Sequence, residues 1–427
     1  MGELFTKVVL HITTKYKPFL IKVLPINVLR TVKRNFVNKS IEDAVGKMSD
    51  KKSFNRSKYP DGINLIGFIK GEIGLGQSCR LLAGAVNSSG EEFTVYNYEQ
   101  VSSMRFNDDT WDFKITNTTP YNINIIHLNP PDLALAHVTL DKKMWDYKYN
   151  IGFWLWELEE FPEEWVKCFS FVDEIWTPSE FVSNSIRKKT TLPVYTVPYY
   201  ISAPVEQKYD RKYFGLPEDK FLFLCMYDSN STIQRKNPVG AIEAFKKAFS
   251  SDNNDIGLVI KINNPQTTEL EKINDILKGY KNIYMIPKIM SKNEVNSLIK
   301  SCDVFVSLHR AEGFGLPLAE AMLLGTPTIA TNWSANTEFM NQETSCLVDY
   351  SMATLERDYV MYKKGNRWAD PDINQAAMYM RKLFEDNDFY NKVSKNAKSY
   401  MENNLNIKKA GETIKSRINQ IYNEVDK

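Results

Sequence analysis

The sequence predicts an α/β protein of more than one domain, built on parallel sheets. Three observations carry that prediction. A chain of 427 residues, 43% hydrophobic and 25% charged, is long enough for two or three domains with their own cores. Residues 303–332, DVFVSLHRAEGFGLPLAEAMLLGTPTIATN, read as strand, loop, helix and strand, and two strands joined through a helix pair in parallel. Residues 63–98 repeat that plan around a glycine-rich turn.

Taken in order, residues 1–58 differ from the rest. The first 40 carry eight Lys or Arg against one acid, Glu3. Short apolar groups alternate with those charges, so no run reaches transmembrane length and no clean signal-peptide core forms. Two readings stay open for 1–40: a basic amphipathic arm on an anionic membrane surface, or a solvated helical extension. Residues 43–57 read as a polar linker. Residues 63–69 form a strand, 71–76 a flexible glycine-rich loop, 77–86 a helix ending before Gly90, and 93–98 the next strand. Dinucleotide binding needs G-x-G-x-x-G, and Cys79 stands where the third glycine would be. A buried strand at 122–128 ends near His127. Residues 149–165, YNIGFWLWELEEFPEEW, begin as a strand and are both aromatic and acidic. Aromatic faces and carboxylates suit sugars, and large side chains of this kind also fill cores. A strand follows at 172–177, and residues 192–200, LPVYTVPYY, lead through Pro204 toward the second domain.

The second half opens with a strand at 221–226 and a polar loop at 228–232. Arg235 and Lys236 come next. Asn237 reads as an N-cap and Pro238 as the first residue of a helix to 248. Two cations beside a helix N-terminus suit a diphosphate. Strands at 257–262, with Lys261 near the end, and 282–287 lead to a helix over 293–301 capped by Ser291. In the central stretch, Pro317 opens the helix and Gly325 closes it. Its loop, 309–315, then lies at the carboxyl end of a strand, where α/β sheets bind ligands. Gly313 and Gly315 let a backbone approach closely, free N–H groups at the helix start can hold phosphate, and Glu312 and Glu320 can accept hydrogen bonds from hydroxyls. Phosphate plus polyhydroxyl points to a nucleotide-sugar. Residues 368–372 read as a capped start to a helix over 373–386, and 410–425 as a final amphipathic helix.

Bulk properties exclude other classes. A net charge of +2 makes no case for nucleic acid. Five scattered cysteines without C-x-x-C read as buried thiols in a reducing compartment, and four histidines lack metal-type spacing.

HRAEGFGLPLAEAM, with acids at Glu312 and Glu320, resembles the E-x7-E signature of retaining family-4 glycosyltransferases of the GT-B fold. That resemblance implies two Rossmann-like domains facing across a cleft, at 59–205 for the acceptor and 206–395 for the nucleotide-sugar. The basic extension and linker over 1–58 lie outside the resemblance, which implies a helical segment over 396–427 that crosses back to the first domain. It implies catalytic or reaction-side roles for Glu312, Lys236, Arg235, Glu157 and His127. It implies donor contacts from Gly74, Gly76, Lys261, Gly313, Phe314, Gly315, Leu316 and Glu320. Glu312 would hold sugar hydroxyls and Glu320 ribose hydroxyls. The implied partners are a nucleotide-diphosphate sugar and a glycan, lipid-linked or protein hydroxyl. No cofactor or metal is expected, and the place expected is the cytoplasm, peripheral on the inner face of the plasma membrane if the arm binds there. Bacterial surface polysaccharide or glycoconjugate synthesis fits. The alternatives are an epimerase or phosphorylase of the same fold, or an inactive nucleotide-sugar-binding protein.

Overall fold

The computed structural model describes residues 35, 38–39, 41–46, 51–99, 105–359 and 361–425. The two readings of residues 1–40, membrane arm or helical extension, fall outside the described residues except at 35, 38 and 39. Among the described residues no helix is long and apolar enough to cross a membrane.

The chain divides into two compact units. Unit one runs to Leu155, takes Glu160–Tyr200 and is completed by the helix that starts at Ile407; unit two comprises Trp156–Glu159 and Ile201–Asn406.

Unit one holds a six-stranded sheet: β1 (Ile63–Gly67), β2 (Phe93–Asn97), β3 (Ile123–His127), β4 (Tyr149–Phe153), β5 (Glu174–Thr177) and β6 (Val194–Thr196), in the order β2-β1-β3-β4-β5-β6. All five pairings are parallel. Every residue of β1 and β3 is buried, as in sheets covered on both faces. Register places Asn64 opposite Asn124 and Asn124 opposite Asn150. Their side chains bond across the strands at 2.9 and 2.8 Å, which satisfies amides that burial would otherwise penalise. The helix Gly74–Ser89 ends at Gly90 with φ +79°, and the helix Ile407–Val425 packs on it. Gly411 allows that approach, since a Cβ there would stand 2.7 Å from the Ser88 carbonyl carbon.

Unit two repeats the plan with β7 (Phe221–Asp228), β8 (Ile256–Asn263), β9 (Ile283–Ile286), β10 (Val304–Ser307), β11 (Thr328–Thr331) and β12 (Cys346–Val348), in the order β12-β11-β10-β7-β8-β9, all parallel. Phe223, Phe245, Leu258, Ile260, Val304, Val306 and Met380 lie in its core. An antiparallel hairpin, β13 (Tyr350–Thr354) and β14 (Arg367–Pro371), stands apart from the main sheet.

Several local expectations need correction. The glycine-rich loop is shorter than expected, because Gly74 and Gly76 already belong to the helix. Glycine is a poor helix former, yet only glycine fits at 76: a Cβ would lie 1.9 Å from the Gly71 carbonyl oxygen. Residues 43–46 of the expected linker are helical, and neighbouring Ile41 and Ala44 are buried. Residues 367–371 form a strand rather than a simple helix lead-in, with Asp372 capping the helix Ile373–Glu385. Trp154, Trp156, Phe153 and Phe161 are all buried, so none of these rings is an open sugar platform. Glu320 lies beyond the first turn of its helix, Leu316–Leu323. All five cysteines are buried and free.

Candidate functional site

Two loops at the carboxyl ends of neighbouring strands build the site. β7 leads into a short helix, Ile233–Lys236, whose last two residues are the cations Arg235 and Lys236. β10 leads into the loop that carries Glu312. Asn237 locks the first loop. It adopts the left-handed conformation at φ +49°, its side chain accepts from the Gly240 N–H to cap the helix Pro238–Ala248, and its amide donates to the Leu308 carbonyl at 2.8 Å. The Arg310 N–H donates to the Arg235 carbonyl at 2.7 Å. The two loops are thus joined by backbone and side-chain bonds before any ionic contact is counted.

Glu312 sits between the cations. Its Oε1 contacts Lys236 Nζ and lies 3.2 Å from Arg235 Nη1. Burial alone would raise its pKa, but Lys236 and Arg235 hold the carboxyl down to about 2. Burial works the other way on Lys236 and lowers its pKa, with Glu312 opposing. Arg235 Nη1 also donates to the Ala311 carbonyl at 2.7 Å, and Nη2 lies 3.7 Å from Glu157. Arg235 is 5% exposed, and its Nε has no hydrogen-bond partner among the described residues. Ser334 steadies the loop from the far side. It holds φ +75°, ψ −160° and accepts from the Glu312 N–H at 2.9 Å. Such backbone strain concentrates at functional sites.

Gly315 supplies the turn into the next helix with φ +97°. Gly313 is needed for a different reason: a Cβ would stand 2.5 Å from the Trp156 carbonyl. Phe314 is buried against Phe339, ring centroids 5.2 Å apart, and Leu316 is the first residue of the helix. Glu320 is 2% exposed and pairs with Lys292 at 2.5 Å. Burial raises its pKa against the pull of Lys292. Lys261 is buried at the end of β8, donates to Asn263, and is pushed down to about 8 by burial.

The structure therefore brings together Arg235, Lys236, Glu312 and Glu157, with the Gly313–Leu316 turn continuous with them. Lys261 and Glu320 also belong to unit two. Gly74, Gly76 and His127 belong to unit one. His127 is fully buried, contacts Ser78 Oγ through Nε2 at 2.5 Å, and stacks on Phe153. A Cβ at Gly74 would meet nothing within 4 Å.

Four further residues shape the site and escaped the sequence reading. Tyr362 lies under Arg235, its ring centre 5.9 Å from the guanidinium carbon. Lys292 holds Glu320. Arg310 pairs with Asp370 at 2.7 Å, which ties the site loop to β14. His309 is buried and bonds Asn336 at 3.0 Å. Only Arg310 carried a signal, as a cation inside the motif; the partners of the others come from distant segments.

Residues 206–400, all within unit two, match the model of the family Glycosyl transferases group 1. No curated protein matches the chain. Among solved structures, Anabaena HepE in complex with UDP-glucose superposes with a TM-score of 0.63 at 10% identity, covering 84% of this chain and all of that one. Sucrose-phosphate synthase from Thermosynechococcus elongatus gives 0.62 at 13% identity, over 86% and 100%. A glycosyltransferase from Rickettsia africae gives 0.61 at 12%, over 87% and 99%. At these identities the likeness is one of fold, and the fold is GT-B.

Proposed function

We propose, on the premise that residues 206–400 form a group 1 glycosyltransferase domain, that the chain transfers a sugar from a nucleotide-diphosphate sugar to a hydroxyl with retention of anomeric configuration. The observation that carries this reading is the convergence of Arg235, Lys236 and Glu312 at the carboxyl ends of β7 and β10. Two cations face Glu312, Glu157 stands farther off at 3.7 Å from Arg235, and Arg235 Nε has no partner among the described residues. A diphosphate entering there competes with Glu312 for them and releases its oxygens toward sugar hydroxyls. As the bond to the departing diphosphate breaks, Arg235 and Lys236 meet the growing negative charge, and the helix start at Leu316 adds its dipole. The acceptor proton passes to the leaving phosphate oxygen, so no separate strong base is required. The chain's own cations do the neutralising in this scheme, without a metal. Glu320 serves the ribose hydroxyls, and Glu157 serves the reacting sugar side.

The complexes of HepE with UDP-glucose support a nucleotide-sugar as donor. The acceptor is a glycan, lipid-linked or protein hydroxyl, in synthesis of a bacterial surface glycan. A panel of nucleotide-sugars, read by donor hydrolysis and by a product joining donor sugar to added acceptor, tests the reading. An altered sugar with no joined product would indicate an epimerase instead. Residues 1–40 supply a membrane-surface contact in this reading. Equal co-sedimentation with anionic vesicles by the full chain and by a chain lacking them removes that part.

A further inference from the structure

The turn between β13 and β14 reaches into the site. Leu355 donates to the Asn366 carbonyl at 2.8 Å, and Tyr359 and Tyr362 exchange backbone bonds at 2.8 and 2.9 Å. Strand β14 is anchored twice, by Arg310 to Asp370 at 2.7 Å and by Arg367 to Glu159 at 3.2 Å. These bonds present Tyr362, 3% exposed, with three neighbours at once. Its ring lies 5.5 Å from that of Trp156. Glu157, itself 3.7 Å from Arg235, is its acidic neighbour. Its face lies 5.9 Å from the Arg235 guanidinium carbon, within reach of a cation–π attraction.

A guanidinium binds phosphate well only when its plane is held, because the gain lies in paired, directed N–H bonds. Around Arg235 the Ala311 carbonyl fixes one edge and Glu157 draws on another. Glu312 adds a third contact at 3.2 Å, and the Tyr362 ring is the aromatic neighbour, its centre 5.9 Å from the guanidinium carbon. The buried Nε without a partner is then a donor kept out of water with nothing to donate to, an arrangement that an incoming oxygen would complete.

We infer that Tyr362 is a positioning residue that holds the Arg235 guanidinium in the plane needed to grip a diphosphate. It acts through Arg235 and touches no reacting atom. The inference rests on the reading of Arg235 as a diphosphate ligand, and it names the ligand chemistry as phosphate rather than base or sugar.

The test uses the full chain and titrates UDP, GDP, ADP and inorganic pyrophosphate by calorimetry. Y362L is expected to weaken binding of the best nucleotide about tenfold, with a loss of similar size for pyrophosphate. Y362F, which keeps the ring and drops the hydroxyl, is expected to recover affinity to within a few-fold of the wild type. Should Y362L not fold, Y362M makes the same comparison with a flexible side chain that has no π face. A melting temperature lowered by Y362L with unchanged nucleotide affinity would show a structural role only and overturn the inference. Equal losses in Y362L and Y362F would overturn it too, since the ring would then contribute nothing. A wild type that binds none of the four probes would overturn the glycosyltransferase reading together with this role.

Discussion

Each unit contains a buried carboxylate beside an arginine, and the two differ in how completely they are satisfied. In unit one, Glu174 is fully buried and Arg417 is 5% exposed. Glu174 accepts from Arg417 Nε and Nη2, from Trp176 Nε1 at 2.5 Å and from the Tyr149 hydroxyl at 3.0 Å. Arg417 also bonds Gln420 and Glu424 and lies over the Tyr195 ring at 4.1 Å. Two acids, Glu174 and Glu424, share one cation, and every nitrogen of Arg417 has a partner. In unit two, Glu312 meets two cations, and one nitrogen of Arg235 has no partner among the described residues. A closed pair fastens a helix to a sheet. A cluster of two cations and two acids, Glu312 and the more distant Glu157, with a spare donor on Arg235 is open to an anion. Burial alone does not separate the two cases; the balance of donors and acceptors does.

The largest effect that tests this contrast is on stability. Arg417→Met leaves Glu174 charged, buried and without its cation, which costs about 3–5 kcal/mol. Because the protein has two units, the readout is the midpoint of the unfolding transition reporting on unit one rather than a single global free energy. Adding Glu174→Gln keeps an acceptor for Trp176 and Tyr149 and removes the charge, so the double variant is expected to regain much of the loss. If the single and double variants unfold at the same denaturant concentration, the pair is not the closed unit described.

The open cluster should respond in the opposite sense. Lys236→Ala leaves Glu312 with Arg235, so folding changes little. Turnover should fall roughly 10²–10³-fold, the range for removing one group that stabilises transition-state charge. Steady-state kinetics on the donor found by the nucleotide-sugar panel checks this. Unimpaired turnover would remove Lys236 from the leaving-group site.

Much of this arrangement was legible in the sequence, where local chemistry decided it. Asn237 and Pro238 mark a helix start, Ser291 with Glu294 forms a capping box, and Gly90 and Gly325 adopt the left-handed conformation where their helices end. The strands show as short apolar runs because parallel sheets bury both faces. The family resemblance also gave Glu312 and Lys236 roles in one reaction before any contact was known. What did not show are features decided by distant residues. Gly76 reads as a loop residue until the Gly71 carbonyl above it is seen. β13 and β14 carry a mixed burial pattern, so no clean alternation announces the hairpin. Tyr362 meets Arg235 and Glu157 only because that hairpin is pinned at Asp370 and Arg367, and no local rule points there. Trp156–Glu159 follow β4 in the chain yet group with unit two.

The smallest effect compares one histidine from each unit. His127 in unit one is buried among neutral groups, and burial pushes its pKa down to about 4. His309 in unit two is also lowered by burial, but Glu312 and Asn336 pull it back up. For His127 the unfolded chain, at about 6.5, binds a proton that the folded chain refuses. Its contribution is therefore complete above about pH 6.5 and is lost as pH falls toward about 4, a change of at most about 3 kcal/mol. His127→Gln should flatten the stability profile of unit one across that window, measured by denaturant midpoints at stepped pH. His309→Gln should flatten the profile of unit two less, because Glu312 already offsets part of the burial cost. Equal flattening by both variants would show that Glu312 does not act on His309, and that its charge is taken up wholly by Arg235 and Lys236.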